Sequence, residues 1–301
     1  MSRDEAIAQF ATKHHGVFTS AHAVGLGFTG PQLARRKAAG RWLHRHLGAY
    51  YMAGAPPSCK GDLLAACWAG GFRAVASHRS AAALWNLAGG RRSIQEITCP
   101  RWRRTRHDGL VVHESKAVDP VDAMEIDGIP VTTPERTLLD LGAVCHPSVV
   151  EMALDAAEKR ELVTLDSVRA TVTRLGRSGR NGVGTLRELL DARSPDRKPP
   201  ESEMETLLLQ VVRRLGFPEP VTQYEIRRAG RFVARVDAAY PHWRVAIEYD
   251  SYEYHAGRKA RAKDNDRRNK IIGAGWVPVV ATAEDLRSGG AVLSAAIRGN
   301  R

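Results

Sequence analysis

The sequence predicts a multidomain α/β chain, α+β in overall layout, with helices and short strands interleaved along its length. Three observations carry that expectation. At 301 residues the chain is long enough for two or three separate cores. Several stretches repeat apolar residues at helical spacing behind capping residues, while others, above all 232–238 and 245–250, alternate apolar with polar as half-buried strands do. A polar, proline-rich run, Ser194-Pro195-Asp196-Arg197-Lys198-Pro199-Pro200, reads as a linker. The expected domains are therefore 1–55, 56–195 and 200–301.

Composition narrows the partners. The net charge of +12 favours a polyanion, although basic surfaces also serve solubility alone. The excess is spread out: residues 1–55 hold seven Lys/Arg against two Asp/Glu, and 200–301 hold seventeen against thirteen. Cys59, Cys67, Cys99 and Cys145 are far apart and form no C-x-x-C pair, so reduced thiols are expected and a structural zinc site is not. No apolar run reaches the length of a bilayer, and the N-terminus lacks a signal-peptide core. A soluble, cytoplasmic protein with no membrane partner is the expectation.

From the N-terminus, Asp4 to Ala11 carries a helical apolar set, Ile7 and Phe10 among it, and Gly16-Val17-Phe18-Thr19 reads as a short strand. Thr19 or Ser20 caps a second helix, 20–26. Pro31 opens a third, 31–39, with Leu33, Ala34 and Ala38 inward, Gln32, Arg35, Arg36 and Lys37 outward, and Gly40 as its stop. Residues 41–51 alternate as a β-wing carrying Arg41, His44 and Arg45. Helix, turn, basic recognition helix and basic wing make a winged helix, a DNA-reading arrangement. The segments His15-Gly16-Val17-Phe18-Thr19, Gln32-Leu33-Ala34-Arg35-Arg36 and Gly40-Arg41-Trp42-Leu43 resemble the N-terminal domain of AbiEi-type antitoxins.

The middle region mixes helices (Asp62–Trp68, Ser77–Leu87, Val149–Glu161, Leu165–Arg174, 185–192) with strands (Ile94–Cys99, Leu110–Glu114). The loop between those strands holds Arg101, Arg103, Arg104 and Arg106 around Trp102 and reads either as a phosphate contact or as a charged hairpin tip. Ile129 to Asp140 is a strand running into a capped helix. With Ser77-His78-Arg79-Ser80 it resembles the body of the same antitoxin-like family, and Arg79, Glu135 and Arg136 read as a buried polar network more than as a site. The glycine-rich run 176–184 follows a helix, not a strand, and matches no phosphate-cradling motif.

The chemistry concentrates near residue 240. Phe232–Ala238 and Val245–Asp250 read as antiparallel strands joined at Pro241-His242-Trp243. Asp237 falls near the end of the first, and Glu248 and Asp250 lie two apart on one face of the second. Carboxylates so clustered repel, and a bound cation is the natural compensation. His255 and a run of cations, including Lys263, Arg267 and Lys270, come directly after. Hard-metal ligands beside phosphate-binding cations suit a nucleic-acid backbone.

These residues, with Asp264-x-Asp266-Arg267-Arg268-Asn269, resemble the PD-(D/E)xK nuclease superfamily, and within it the very-short-patch-repair endonuclease branch. Ser202 to Leu207 is similar to that domain's opening helix, and Gly275 to Val280 with Ala283 to Leu286 to its closing strand and helix. The resemblance implies a restriction-endonuclease-like α/β domain with a central mixed sheet. It also implies a Mg²⁺ or Mn²⁺ cofactor held by Asp237, Glu248 and Asp250, with Glu205 orienting the site. The position two after Glu248 is Asp250, where the superfamily signature has Lys, so the resemblance implies His255 as the acid or base. Arg267 would clamp the scissile phosphate, with Lys263 and Lys270 on either side. Two functions are open: a metal-dependent endonuclease steered by its winged helix, or a non-catalytic, antitoxin-like DNA-binding regulator on an inactive nuclease scaffold. DNA is the partner of both, and a homo-oligomer or a toxin or antitoxin partner protein is left open.

Overall fold

The computed structural model describes residues 1–46, 48–102, 109–116, 118–176, 181–193, 202–250 and 258–301; at Asp250 and 258–264 it describes the backbone only. The chain is a multidomain α/β protein whose described residues form two units, Met1–Arg197 and Lys198–Arg301. Among those residues no helix is long and apolar enough to cross a membrane.

Capping chemistry sets the first helices. α1 (Arg3–Lys13) opens on a reciprocal box in which Ser2 Oγ accepts from the Glu5 N–H and Glu5 Oε2 from the Ser2 N–H. Next come β1 (Val17–Thr19), α2 (Ser20–Gly25), α3 (Gly30–Ala38), β2 (Trp42–His46) and β3 (Ala49–Met52), with the strands ordered β1-β3-β2. Ile7, Phe18, Leu33, Trp42 and Tyr50 fill the core of this winged helix. Ala34 and Ala38, expected inward, are exposed; of the three only Leu33 is buried. The space beside Leu33 is covered by Arg36, whose guanidinium lies over the Phe28 ring at 4.5 Å and near that of Trp42 at 5.7 Å.

The winged helix shares a core with the helix and sheet that succeed it in the chain. α4 (Cys59–Gly70), started by Ser58 at its N-cap, sends Leu63, Leu64 and Cys67 into one cluster with Val17, Ala49 and Tyr51 of the winged helix and Ile97, Ile129 and Val131 of the next sheet. Gly61 marks the closest approach, since a Cβ there would stand 2.6 Å from the His15 carbonyl oxygen and 2.8 Å from the Tyr51 hydroxyl. Asp62 accepts from the Tyr51 hydroxyl at 2.9 Å and pairs with Arg45.

β4 (Val75–Ala76), α5 (His78–Leu84), β5 (Gln95–Cys99), β6 (Leu110–Glu114), β7 (Ala123–Ile126) and β8 (Ile129–Thr132) build a five-stranded sheet ordered β6-β5-β4-β8-β7. β5 and β6 run parallel, so the arginine-bearing segment between them is a crossover and not a hairpin tip; Arg103, Arg104 and Arg106 lie outside the described residues. α6 (Pro134–Leu141), α7 (Pro147–Lys159), α8 (Leu165–Leu175) and α9 (Val183–Asp191) enclose a second cluster around Leu138, Leu154 and Leu186. Arg136 is buried between Asp140, at 2.9 Å, and Asp122, at 3.6 Å. Arg79 instead faces Glu96, and Glu135 accepts from Ser167, so the three polar residues grouped by the sequence belong to separate contacts.

The C-terminal unit consists of α10 (Glu203–Arg214), β9 (Val221–Arg228), β10 (Arg231–Tyr240), β11 (Val245–Asp250), α11 (Arg258–Gly273), β12 (Val277–Thr282), α12 (Ala283–Ser288) and α13 (Ala291–Gly299). Its mixed sheet has the order β12-β11-β10-β9, with β11 and β12 parallel across the α11 crossover and the other pairs antiparallel. Side chains alternate between faces: Val245 and Ile247 pack with α10, α12 and α13, and Ala246 packs with Ile271 of α11.

Candidate functional site

The C-terminal carboxylates meet where two strands part. The β10–β11 ladder ends at Ala238↔Ile247, whereas β11 stays paired to β12 as far as Asp250↔Thr282. Asp237 and Glu248 are the residues immediately beyond that last rung. Asp237, expected near the end of its strand, sits inside β10 and at the end of its pairing with β11. Its carboxylate replaces the missing rung: Oδ2 accepts from the Tyr249 N–H at 2.8 Å. Glu248, a quarter exposed, pairs with Arg267 of α11 at 2.5 Å, and Arg267 also donates to the Arg235 carbonyl.

Glu205 enters through a residue absent from the sequence-level site. It stands in the first turn of α10, where Ser202 Oγ accepts from its N–H at 3.1 Å, and it is 95% buried. Its carboxylate receives the side-chain amide of Gln223 on β9. Gln223 lies between the rungs Val236↔Tyr224 and Ala238↔Thr222, directly beside Asp237 across the sheet. Its backbone has φ +51°, a left-handed conformation inside a strand that costs roughly 1–3 kcal/mol. One row thus runs Glu205, Gln223, Asp237, Glu248, Arg267 through five elements. Lys270 pairs with Asp266 at 2.6 Å on the exposed face of α11. His255 and the side chains of Asp250 and Lys263 lie outside the described residues.

This donor set fits a hard divalent cation. Mg²⁺ is commonly held by one or two protein carboxylates, which Asp237 and Glu248 supply. The Tyr249 N–H orients one of them and leaves it further lone pairs. A cation, Arg267, already faces the other, and this half-exposed pair separates at little cost.

The winged helix presents fewer free cations than its sequence suggests. Arg35, Arg41 and His44 are exposed. Arg36, expected outward, is a strut: besides covering Phe28 it pairs with Asp4 at 2.7 Å, and that hydrogen bond holds the Asp4 carboxyl below its usual range. Lys37 places its ammonium 4.3 Å from the Tyr50 ring centre. Arg45 is committed to Asp62, and Gln32 Oε1 accepts from the Thr29 N–H at 3.0 Å as a helix cap.

A third cluster, His78, Glu96 and His113, brings three ligand-type atoms within 4.8 Å of one another. The two imidazoles stack face to face, centroids 3.5 Å apart and planes 15° from parallel. Ring-nitrogen lone pairs lie in the ring planes, so near-parallel stacked rings do not converge on one ion. Glu96 faces Arg79 and His113, each at 3.4 Å. Burial pushes the Glu96 carboxyl up, but the His113 hydrogen bond and the charges of His78, His113 and Arg79 leave it below its usual range. Burial depresses the His78 imidazole to about 4, so it is neutral at pH 7.

Set beside known proteins, the chain is 31% identical over 220 residues to Rv2248, an uncharacterised protein of Mycobacterium tuberculosis strain ATCC 25618 / H37Rv, and equally to MT2308 of strain CDC 1551 / Oshkosh. Each match spans 72% of this chain and 77% of the relative. No family model matches the chain.

Proposed function

We propose that this chain, which belongs to the same family as those two Mycobacterium tuberculosis proteins, is a metal-dependent DNA endonuclease whose N-terminal winged helix binds the substrate. The observation that carries the reading is the row from Glu205 to Arg267 at the parted end of β10 and β11. Asp237 and Glu248, with Asp250, would hold Mg²⁺ or Mn²⁺. Such an ion supplies charge neutralisation for the phosphate under attack. The chain's own residues do the rest. Glu205 on α10 holds Gln223 of β9 beside Asp237, and the Tyr249 N–H fixes the orientation of the Asp237 carboxylate. Arg267, released from Glu248, turns its guanidinium to a phosphate oxygen. Lys263 and Lys270 contact flanking phosphates, and His255 is the proposed acid or base. Arg35, Arg41 and His44 are the proposed DNA contacts of the winged helix, with Arg36 and Arg45 holding its shape.

Replacing Asp237 with Asn tests this reading. Asn retains an oxygen acceptor for the Tyr249 N–H, so circular dichroism and the melting temperature without metal should match the parent. Cleavage of plasmid DNA and stabilisation by Mn²⁺ should both be lost. Cleavage at the parental rate would overturn the assignment.

The second reading, a non-catalytic antitoxin-like regulator, draws support from one observation: Arg267 pairs with Glu248, in a site where Asp250 replaces the signature lysine. On that reading the parent binds DNA and cuts no nucleic acid with any divalent ion.

A further inference from the structure

A separate cavity of about 510 Å³ lies in the N-terminal unit, between the turn after α1, the start of α4 and the segment joining α5 to β5. Its size is within the usual range for a small-molecule site. The floor is apolar, formed by Leu63, Ala83, Leu84 and Ile126. Arg91 and Arg92 stand exposed at its edge, with no ion pair to a carboxylate among the described residues. Lys60 and Asp127, the other charged pair of the wall, satisfy each other.

Gln95 is the informative residue. It is 96% buried as a residue and lines the cavity. A primary amide in a cavity wall carries a donor and an acceptor side by side, which matches a ligand edge that accepts and donates in the same way. Two adjacent arginines ask for a phosphate, because a planar guanidinium donates pairs of parallel hydrogen bonds to phosphate oxygens. An apolar floor takes a flat ring. A donor–acceptor edge, a flat apolar body and a phosphate together describe a nucleotide.

We propose that this cavity binds a free nucleoside monophosphate, its base on the Leu63–Ile126 floor with an edge on Gln95, and its phosphate on Arg91 and Arg92. The site is distinct from the Asp237–Glu248 site and does not depend on catalysis there.

Calorimetry and thermal melts on the full chain test it, using adenosine, guanosine, cytidine and uridine 5′-monophosphates, adenosine alone and inorganic phosphate. At least one monophosphate should bind with a Kd below about 1 mM and raise the melting temperature. Adenosine and phosphate alone should each bind at least about tenfold more weakly than the best nucleotide, having lost one anchor. Cys59, an exposed thiol on the cavity wall, should alkylate more slowly when the nucleotide is present. Replacing Arg91 and Arg92, both exposed, with Ala should leave the melting temperature of the free protein unchanged and weaken nucleotide binding at least about tenfold. The proposal is overturned if no monophosphate binds, if phosphate alone binds as tightly, if Cys59 is not protected, or if the double variant binds like the parent.

Discussion

Replacing Arg267 with Ala separates metal binding from cleavage. In the structure this guanidinium occupies the carboxylate that a metal would need, so metal must displace it from Glu248. The side chains of Arg267 and Glu248 are 49% and 25% exposed, which places the pair in the weak, solvent-screened class worth about 0.2–1 kcal/mol. Removing Arg267 returns that energy to the metal, and 1 kcal/mol at 25 °C is about fivefold in affinity. Apparent Mn²⁺ affinity should therefore rise, by up to about fivefold. Global stability should fall by no more than about 1 kcal/mol, since the other bond lost among the described residues is an exposed one to the Arg235 carbonyl. Cleavage should nonetheless drop about 10²–10³-fold, the usual effect of deleting one hydrogen-bond donor aimed at developing charge. Calorimetric Mn²⁺ titration and plasmid nicking with a chelator control measure the two quantities. Weaker metal binding, or nicking at the parental rate, would refute the reasoning.

The winged helix and the stacked histidines give two further tests. Arg35→Ala should weaken DNA binding and lower its salt dependence by about one released ion at unchanged stability, whereas Arg36→Ala should cost about 1–2 kcal/mol in urea melts through lost ring and Asp4 contacts; equal melts would remove the distinction between reader and strut. His78 is a base whose folded pKa, about 4, lies below its unfolded value of 6.5, so the unfolded chain binds more protons between these values. Stability should be full above about pH 6.5 and fall by about 3 kcal/mol toward pH 4, at 1.36 kcal/mol per unit. Burial is the main cause, with Asp140 and Glu96 raising the value and His113 and Arg136 lowering it. His78→Asn, which tolerates the φ of +50° found there, should flatten that slope, and an unchanged slope would place the acid sensitivity elsewhere.

Much of the architecture is legible in the sequence, because caps and periodicity are local signals. Thr19 marks the start of α2, Pro31 and Gly40 bracket α3 from both ends, and the alternation of 232–238 and 245–250 marks the two carboxylate strands. What escapes is non-local. β9 presents mostly exposed side chains behind Pro218 and Pro220, so its pattern is faint, and Gln223, whose side chain reaches from the sheet to Glu205 on α10, is hidden with it. β4 and β7 are too short for any period to register, and the parallel sense of β5 and β6 depends on a crossover that no local signal encodes. Arg36 and Arg45 show the same limit for charge: a basic residue's pattern does not say whether its partner is a phosphate or an aspartate, 32 residues away for Arg36 and 17 for Arg45.

The joint made by Gly61 and Asp62 bears on how this protein can be dismantled. A winged helix is usually imagined as a bead on a string, removable at its last strand. Here a cut after residue 55 would strip Leu63 and Leu64 of their cover and leave Asp62 without Tyr51 and Arg45. Such a truncation reports on misfolding before it reports on recognition. The same rigidity limits recombination: a foreign winged helix spliced at this seam would have to bring its own match for α4, so winged helix and body are expected to be inherited as one block.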